Sequence, residues 1–394
     1  MTGMIEATAT VRPLTSAGCR LDEFIEIVEQ PTHLHEYPHA FAVEQRALVY
    51  DSNVLRKAGA SEGEWRRIRD EVATALLAGP GIVILKAAME GPVVDRATGV
   101  FQQMIDEQHA AGKASGDHYA KAGANDRVWN AIEKLALLDP EAFVEYYAND
   151  MIALACLAWL GPSYQISSQI NVVNPGGEAQ RPHRDYHLGF LTDDVAEEYP
   201  AHVHHLSPLL TLQGAVAHCD MPVETGPTMY LPNSQKYESG YLAWRRPDFM
   251  EYFDHHRVQL PLAKGDGVFF NPALFHAAGH NRTTDVRRMA NLLQVSSSLG
   301  KAMETIDHET MTNTVFPALM KRKHEGLAPE LVENVVVAVA DAYAFPTNLD
   351  RDPPLGGLTP PSQADFLRRA LKEEWHPHQL RDELRAHAER RLTA

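Results

Sequence analysis

From about residue 163 to residue 300 the chain is written in short extended runs separated by turn clusters. This texture narrows the folds open to it more than any other feature. YQISSQINVV is followed by NPGGEAQRP, LLTLQGAVAHC by the turn-rich VETGP and TMYLP, and KGDG by VFFNPALF and RRMANLLQVSSS. Short strands punctuated by Gly, Pro, Asn and Asp predict a barrel or a double-sheet jelly roll. The flanks read differently. Ser61-Glu62-Gly63-Glu64 is a helix start leading into WRRIRDEVATALLAG, Gly79-Pro80-Gly81 ends that helix, and IVILK at 82–86 is a buried strand. Helical patterns follow at 93–112 and across 126–160, closing on Gly161-Pro162, and return after 301 around the Pro-rich stretch 345–361. The expected architecture is one α+β domain over 1–394, with a mainly β core and flanking helices. An irregular N-terminus and helical layer fill 1–160, a double-stranded β-helix (jelly roll, cupin-like) fills 161–300, and a helical extension fills 301–394.

Within the β segment stands His183-Arg184-Asp185. In a strand, residues i and i+2 point to one side, so His183 and Asp185 can address one ion while Arg184 faces away. Pro182 suits a strand edge, where a missing backbone donor matters little. Two imidazoles and one carboxylate on one face are what a non-haem Fe(II) ion needs to keep open positions. The second imidazole must come from a distant strand. His276 follows an apolar run and is preferred to His280 four residues on. Arg287, preferred to Arg288, shares a parity with Met289, Asn291 and Leu293, and a guanidinium there can grip a carboxylate bidentately.

Composition limits the partners. A formal charge of −16 and a pI near 5.6 disfavour nucleic acid or an anionic membrane, both of which call for a basic patch. Cys19, Cys156 and Cys219 are scattered without a CxxC pair, which favours a reducing compartment. The first residues lack the pattern of a secretory signal, and no apolar run approaches the roughly 20 residues of a bilayer span. The expectation is a cytoplasmic protein with a small-molecule substrate.

Four blocks in order make the stretch 160–297 resemble the phytanoyl-CoA dioxygenase family of Fe(II)/2-oxoglutarate oxygenases. They are Gln180-Arg181-Pro182-His183-Arg184-Asp185, Glu224-Thr225-Gly226-Pro227-Thr228 with Leu231-Pro232-Asn233-Ser234-Gln235, Gly265-Asp266, and His276-Ala277-Ala278-Gly279-His280-Asn281-Arg282 with Arg287. The resemblance implies His183, Asp185 and His276 as iron ligands and catalytic centre, with Arg287 on the distal carboxylate of 2-oxoglutarate. It also implies polar cofactor-binding residues on the strand before the HxD motif. Gln169 and Asn171 are preferred among the like-parity set Gln165, Ser167, Gln169 and Asn171, and Thr211 and Gln213 are weaker candidates. PNSQ departs from the family's usual PGSH, and Ala278 stands where many members have serine. The implied activity is hydroxylation or other oxidation of an unactivated C–H bond, consuming 2-oxoglutarate and O2 and releasing succinate and CO2. Asp185 favours oxygenation or desaturation over halogenation, which needs that position empty.

Two other readings stand beside this one: a facial-triad metalloenzyme that does not use 2-oxoglutarate, and a non-catalytic jelly-roll binding protein. His202, His204 and His205 are expected to be solvated or lid residues, as are His218 and His255-His256. Asp266 is expected in a turn. Trp244, Tyr237, Tyr241 and Tyr252 are expected in packing or a pocket wall, and Lys121 and Arg127 at a surface or near an anionic group of the substrate.

Overall fold

The structure is a computed structural model that describes residues 13–112 and 123–393; residues 1–12 and Lys121 lie outside the described residues. Among the described residues eleven strands run in chain order: β1 (Ala42–Glu44), β2 (Ala47–Asp51), β3 (Ile82–Lys86), β4 (Asn125–Val128), β5 (Tyr164–Val173), β6 (Thr211–Ala217), β7 (Met229–Tyr230), β8 (Val258–Gln259), β9 (Gly267–Phe270), β10 (His276–Ala277) and β11 (Arg288–Ser297). They form an eight-stranded sheet in the order β1-β2-β3-β9-β6-β11-β5-β4 and a three-stranded sheet in the order β10-β7-β8. Among the described residues only the β2–β3 pair is parallel. An isolated bridge between His183 and His276 widens the small sheet by one more short piece. Two sheets with non-consecutive neighbours make the expected jelly roll.

Alternation along each strand decides what faces what. Ala47, Val49, Ile82, Ile84, Val268 and Phe270 point inward and meet Tyr230, Val258, Leu260 and Leu274 near the small sheet. The opposite parity (Leu48, Tyr50, Val83, Leu85, Leu212, Val216, Met289, Leu293 and Val295) packs outward into the main core under the helices. The helix Glu62–Leu77 is capped as predicted, the Ser61 side chain accepting from the Glu64 N–H. Asp150–Leu160 ends on Gly161, whose φ of 76° suits a residue without Cβ.

Two sequence expectations fail here. The described part of the N-terminus is not irregular: it carries the helices Leu21–Val28 and Ser52–Ala58 and strands β1 and β2. Residues 126–128, read as helical, fall in edge strand β4, with Arg127 opposite Asn171. NDRV carries no apolar alternation because its pairing comes from β5 and its inner face lines a cavity.

The helices His308–His324, Pro329–Val339, Gln363–Glu373 and Pro377–Arg391 contribute Val315, Phe316, Leu319, Val336, Phe366 and Leu380 to the same core as the outer sheet face. The extension therefore covers surface the sheet could not leave in water. Among the described residues no helix is long and apolar enough to cross a membrane. Truncating Phe316, which is 2% exposed, should cost about 3–5 kcal/mol. Urea unfolding of Phe316→Ala checks this. A loss below 1 kcal/mol would mean the extension is peripheral to the core.

Candidate metal centre

The small sheet brings the candidate ligands together through backbone pairing. The His183 N–H donates to the His276 carbonyl at 2.9 Å and the His276 N–H returns the bond at 3.2 Å. The two residues are thus directly opposed, with ring centroids 4.4 Å apart. Asp185, two residues along, turns its carboxylate toward both rings: Oδ1 lies 3.7 Å from His183 Nε2 and Oδ2 lies 3.4 Å from His276 Nε2. One donor atom from each of the three residues falls within 4.8 Å of the others, and among the described residues this is the one His/Cys/Asp/Glu cluster of three or more with metal-ligand spacing.

The remaining ring atoms are committed elsewhere. His183 Nδ1 lies 3.0 Å from the Arg181 carbonyl and His276 Nδ1 lies 2.9 Å from the Leu274 carbonyl. A carbonyl only accepts, so both Nδ1 atoms carry the proton and Nε2 is the atom of each ring able to ligate a cation. Burial alone would raise the Asp185 pKa. The His183 and His276 imidazoles and the Gln213 amide outweigh it and hold the carboxyl well below the usual carboxylate range. The Gln213 Nε2–H donates to Asp185 Oδ2 at 2.5 Å. The donor set, its tautomers and its charge fit a divalent facial-triad metal.

The triad opens onto a cavity of about 650 Å3 whose floor is the inner face of the large sheet. Sheet register sets its rows. Arg127, Asn171, Ala290 and Ala217 lie across β4, β5, β11 and β6; Gln169, Leu292, Ala215 and Val268 form the next row; Gln294, Gln213 and Phe270 form a third. Gln169 and Asn171 are in the wall, as their parity predicted.

The arginine expectation is corrected. Arg287 is exposed, its guanidinium on Asp126 at 3.1 Å and Asn174 at 3.2 Å. Arg288 opens β11, is 5% exposed, and lines the cavity. Its parity is that of Ala290 and Gln294, whereas Met289 and Leu293 face the helices. Burial lowers the Arg288 pKa to about 10. Its Nη1 is buried without a hydrogen-bond partner.

Other expectations divide. Trp244 lines the cavity, while Tyr237, Tyr241 and Tyr252 are buried in the clusters behind it. Arg127 is buried in the wall rather than at the surface, with Nη1 on Gln169 Oε1 at 2.5 Å and its guanidinium over Trp129. Asp266 sits in its turn, accepting from Ala87 N–H, Ala263 N–H and Lys86 Nζ. Thr211 is buried but does not line the cavity, and His280 is outside the ligand cluster. His202, His205, His255 and His256 are exposed. His204 and His218 are not solvated: His204 Nε2 reaches the Ala196 carbonyl, and His218 lies between Thr98 and Tyr146. Sequence reasoning missed Tyr230, whose ring meets Phe270 edge-on at 5.1 Å, and the wall residues Trp129, Phe190 and Met303.

A jelly roll with a His-Asp-His cluster at the mouth of its cavity defines a facial-triad metalloenzyme. The phytanoyl-CoA dioxygenase (PhyH) family model matches residues 69–289, more than half of the chain. The chain belongs to that family and is accordingly a 2-oxoglutarate-dependent non-haem iron oxygenase, with Fe(II), 2-oxoglutarate and O2 as its cofactor and co-substrates. Among characterised relatives, "Dioxygenase trt7" of Aspergillus terreus (strain NIH 2624 / FGSC A1156) is 25% identical over 225 residues, which is 55% of this chain and 70% of the relative. Among solved structures, the non-heme alpha ketoglutarate dependent epimerase SnoN from nogalamycin biosynthesis aligns with TM-score 0.42 and 18% identity, over 60% of this chain and 85% of that one. The carbocyclase SnoK from nogalamycin biosynthesis aligns with TM-score 0.42 and 20% identity, over 61% and 85%.

Removing a ligand should matter more than removing a residue that supports one, which typically costs 10–100-fold in metal affinity. Asp185→Ala is therefore expected to weaken Co(II) or Mn(II) binding by more than ~100-fold, with the circular dichroism spectrum unchanged. Anaerobic calorimetry reads the affinity, and wild-type binding in that variant would remove Asp185 from the ligand set.

Proposed function

We propose that this chain oxidises an unactivated C–H bond of a small-molecule substrate, by hydroxylation first of all, with release of succinate and CO2. His183, Asp185 and His276 hold Fe(II), and Arg288 receives the distal carboxylate of 2-oxoglutarate. Iron, 2-oxoglutarate and dioxygen together supply the oxidising power that side chains lack. The protein's contribution is to bind, orient and exclude water.

The observation that carries this reading is the state of Arg288. A guanidinium taken out of water costs several kcal/mol unless an anion meets it, and among the described residues no carboxylate pairs with this one. The cavity that it lines also carries apolar residues, among them Met221, Tyr230, Leu260, Leu262 and Val268. A dicarboxylate with one end on Arg288 and a short methylene stem along that lining satisfies both features. Gln169 and Asn171, on the neighbouring strand β5, are the amides in reach of the co-substrate's other end or of the substrate.

The rest of the wall favours a polar substrate over a plain acyl chain. Gln169, Asn171 and Gln294 present three carboxamides to one cavity, and Asn171 Oδ1 is buried without a hydrogen-bond partner. Leaving such an atom unsatisfied costs about 1–3 kcal/mol, so a ligand with O–H or N–H donors suits the site better. Trp129, Phe190, Trp244 and Met303 add apolar wall for the carbon skeleton.

The test is anaerobic reconstitution with Fe(II) and 2-oxoglutarate, followed by a substrate panel scored for succinate and for products gaining one oxygen atom. Turnover without succinate would favour a triad enzyme that does not use 2-oxoglutarate. Arg288→Met should raise the dissociation constant for 2-oxoglutarate by ~30-fold or more, the factor expected when one partner of a buried charge pair is truncated. Arg287→Met, at the surface, should change it by less than ~3-fold. The reverse ranking would return the clamp to Arg287.

A further inference from the structure

We infer that Gln213 is the positioning residue for the metal-binding carboxylate, acting through Asp185 and not on substrate or co-substrate. The inference rests on the reading of His183, Asp185 and His276 as metal ligands.

All three candidate ligands belong to the small-sheet side of the cavity, on the Pro182–Asp185 segment and on β10. Backbone pairing fixes the two histidines against each other, and their Nδ1 protons are tied to carbonyls of their own segment. Asp185 lies beyond the bridge, followed by two residues with left-handed backbone, Tyr186 at φ 64° and His187 at φ 37°. No strand pairing reaches past it to fix its side chain. Besides the two imidazoles it faces, the carboxylate takes a hydrogen bond from the opposite sheet.

On β6, Gln213 donates from Nε2 to Asp185 Oδ2. Its cross-strand neighbour on β9 is Phe270, whose ring meets the His276 ring edge-on at 4.8 Å. One cross-strand pair of the large sheet thus buttresses two of the three ligands of the small one.

The contact also fixes the amide. A carboxylate can only accept, so the nitrogen must face Asp185 and Oε1 must face away. Gln213 is 6% exposed and its Oε1 has no hydrogen-bond partner, so the Asp185 contact is what holds this side chain in its orientation. Oδ2, already accepting this bond, is the poorer donor to a cation, and Oδ1 is left for it. Gln213 thereby selects which oxygen binds and in what rotamer. Gln294, one strand over on the same row, turns instead to Gln169, its Oε1 accepting from Gln169 Nε2 at 3.1 Å. Presence in the amide row is therefore not enough for this role; the contact with Asp185 is.

The experiment is an anaerobic titration of the apo-protein with Co(II), read by calorimetry and by the visible absorption of the bound ion. Three chains are compared: wild type, Gln213→Met and Gln213→Asn. Methionine keeps the length and loses the donor; asparagine keeps the donor and withdraws it by one methylene. Both variants should bind Co(II) 10–100-fold more weakly and give an altered absorption band at saturation, while the apo-protein melts as wild type does. Wild-type affinity and band in a folded variant overturn the inference, whatever happens to the melting temperature. If Gln213→Met does not fold, Gln213→Asn decides by the same criteria. Failure of the wild type itself to bind Co(II) overturns the ligand reading instead, so the two failures are told apart.

Discussion

The reciprocal backbone bond between His183 and His276 is the contact on which the centre depends. It joins two chain segments far apart in sequence and sets their side chains opposite each other at one fixed register. Register in a strand pair is unforgiving: a slip of one residue turns every side chain to the other face. With the bridge in place, His276 and His183 share a face and Asp185, two residues on, shares it too. Polar contacts then refine the geometry. Each Nδ1 proton is tied to a carbonyl, and Asp185 is held from the large sheet. A site assembled this way is organised by the fold before any cation arrives, which limits the reorganisation that binding requires.

Charge follows the same logic across the cavity. Asp185 is ionised at the ligand end, while Arg288 stands as a buried cation elsewhere in the cavity wall. A divalent metal with a dianionic co-substrate balances these two groups to zero. Without an anion, Arg288 bears a desolvation penalty that nothing nearby offsets. The same low-polarity surroundings that make the empty state costly strengthen the pairing once it forms.

Much of this was legible from residues alone. The alternation of strand-like runs announced the jelly roll, and the one-residue spacing of His183 and Asp185 announced a shared face. The parity of Gln169 and Asn171 placed them in the cavity wall. Apolar parity points Arg287 at the site, whereas the structure lines the cavity with Arg288 and leaves Arg287 exposed. On β11 the apolar residues Met289, Leu293 and Val295 serve the helix-covered face, while the cavity face carries Arg288, Ala290, Leu292 and Gln294. Strand β4 was hidden for a related reason. An edge strand that turns Arg127 into the cavity has no apolar alternation to display, and only its pairing with β5 reveals it. The helical extension gave its helices but not their purpose, since nothing in their periodicity says which sheet face they cover.

The division of labour between the two sheets follows from their sizes. The small sheet supplies ligands but has little surface with which to hold them. The large sheet takes four strands, β1 to β4, from before residue 161 and is backed by helices from both ends of the chain. Its rows are therefore rigid, and whatever it points at the centre is placed well. Along one row of that sheet Gln213 meets Asp185 and Phe270 meets His276; along another Arg127 and Asn171 face the open cavity. The proposed support for the metal and the proposed recognition of the ligand thus come from separate rows of one surface, with the Gln169, Leu292, Ala215 and Val268 row between them. Changes in the row that carries Arg127 and Asn171 can alter what is bound without disturbing how the metal is held.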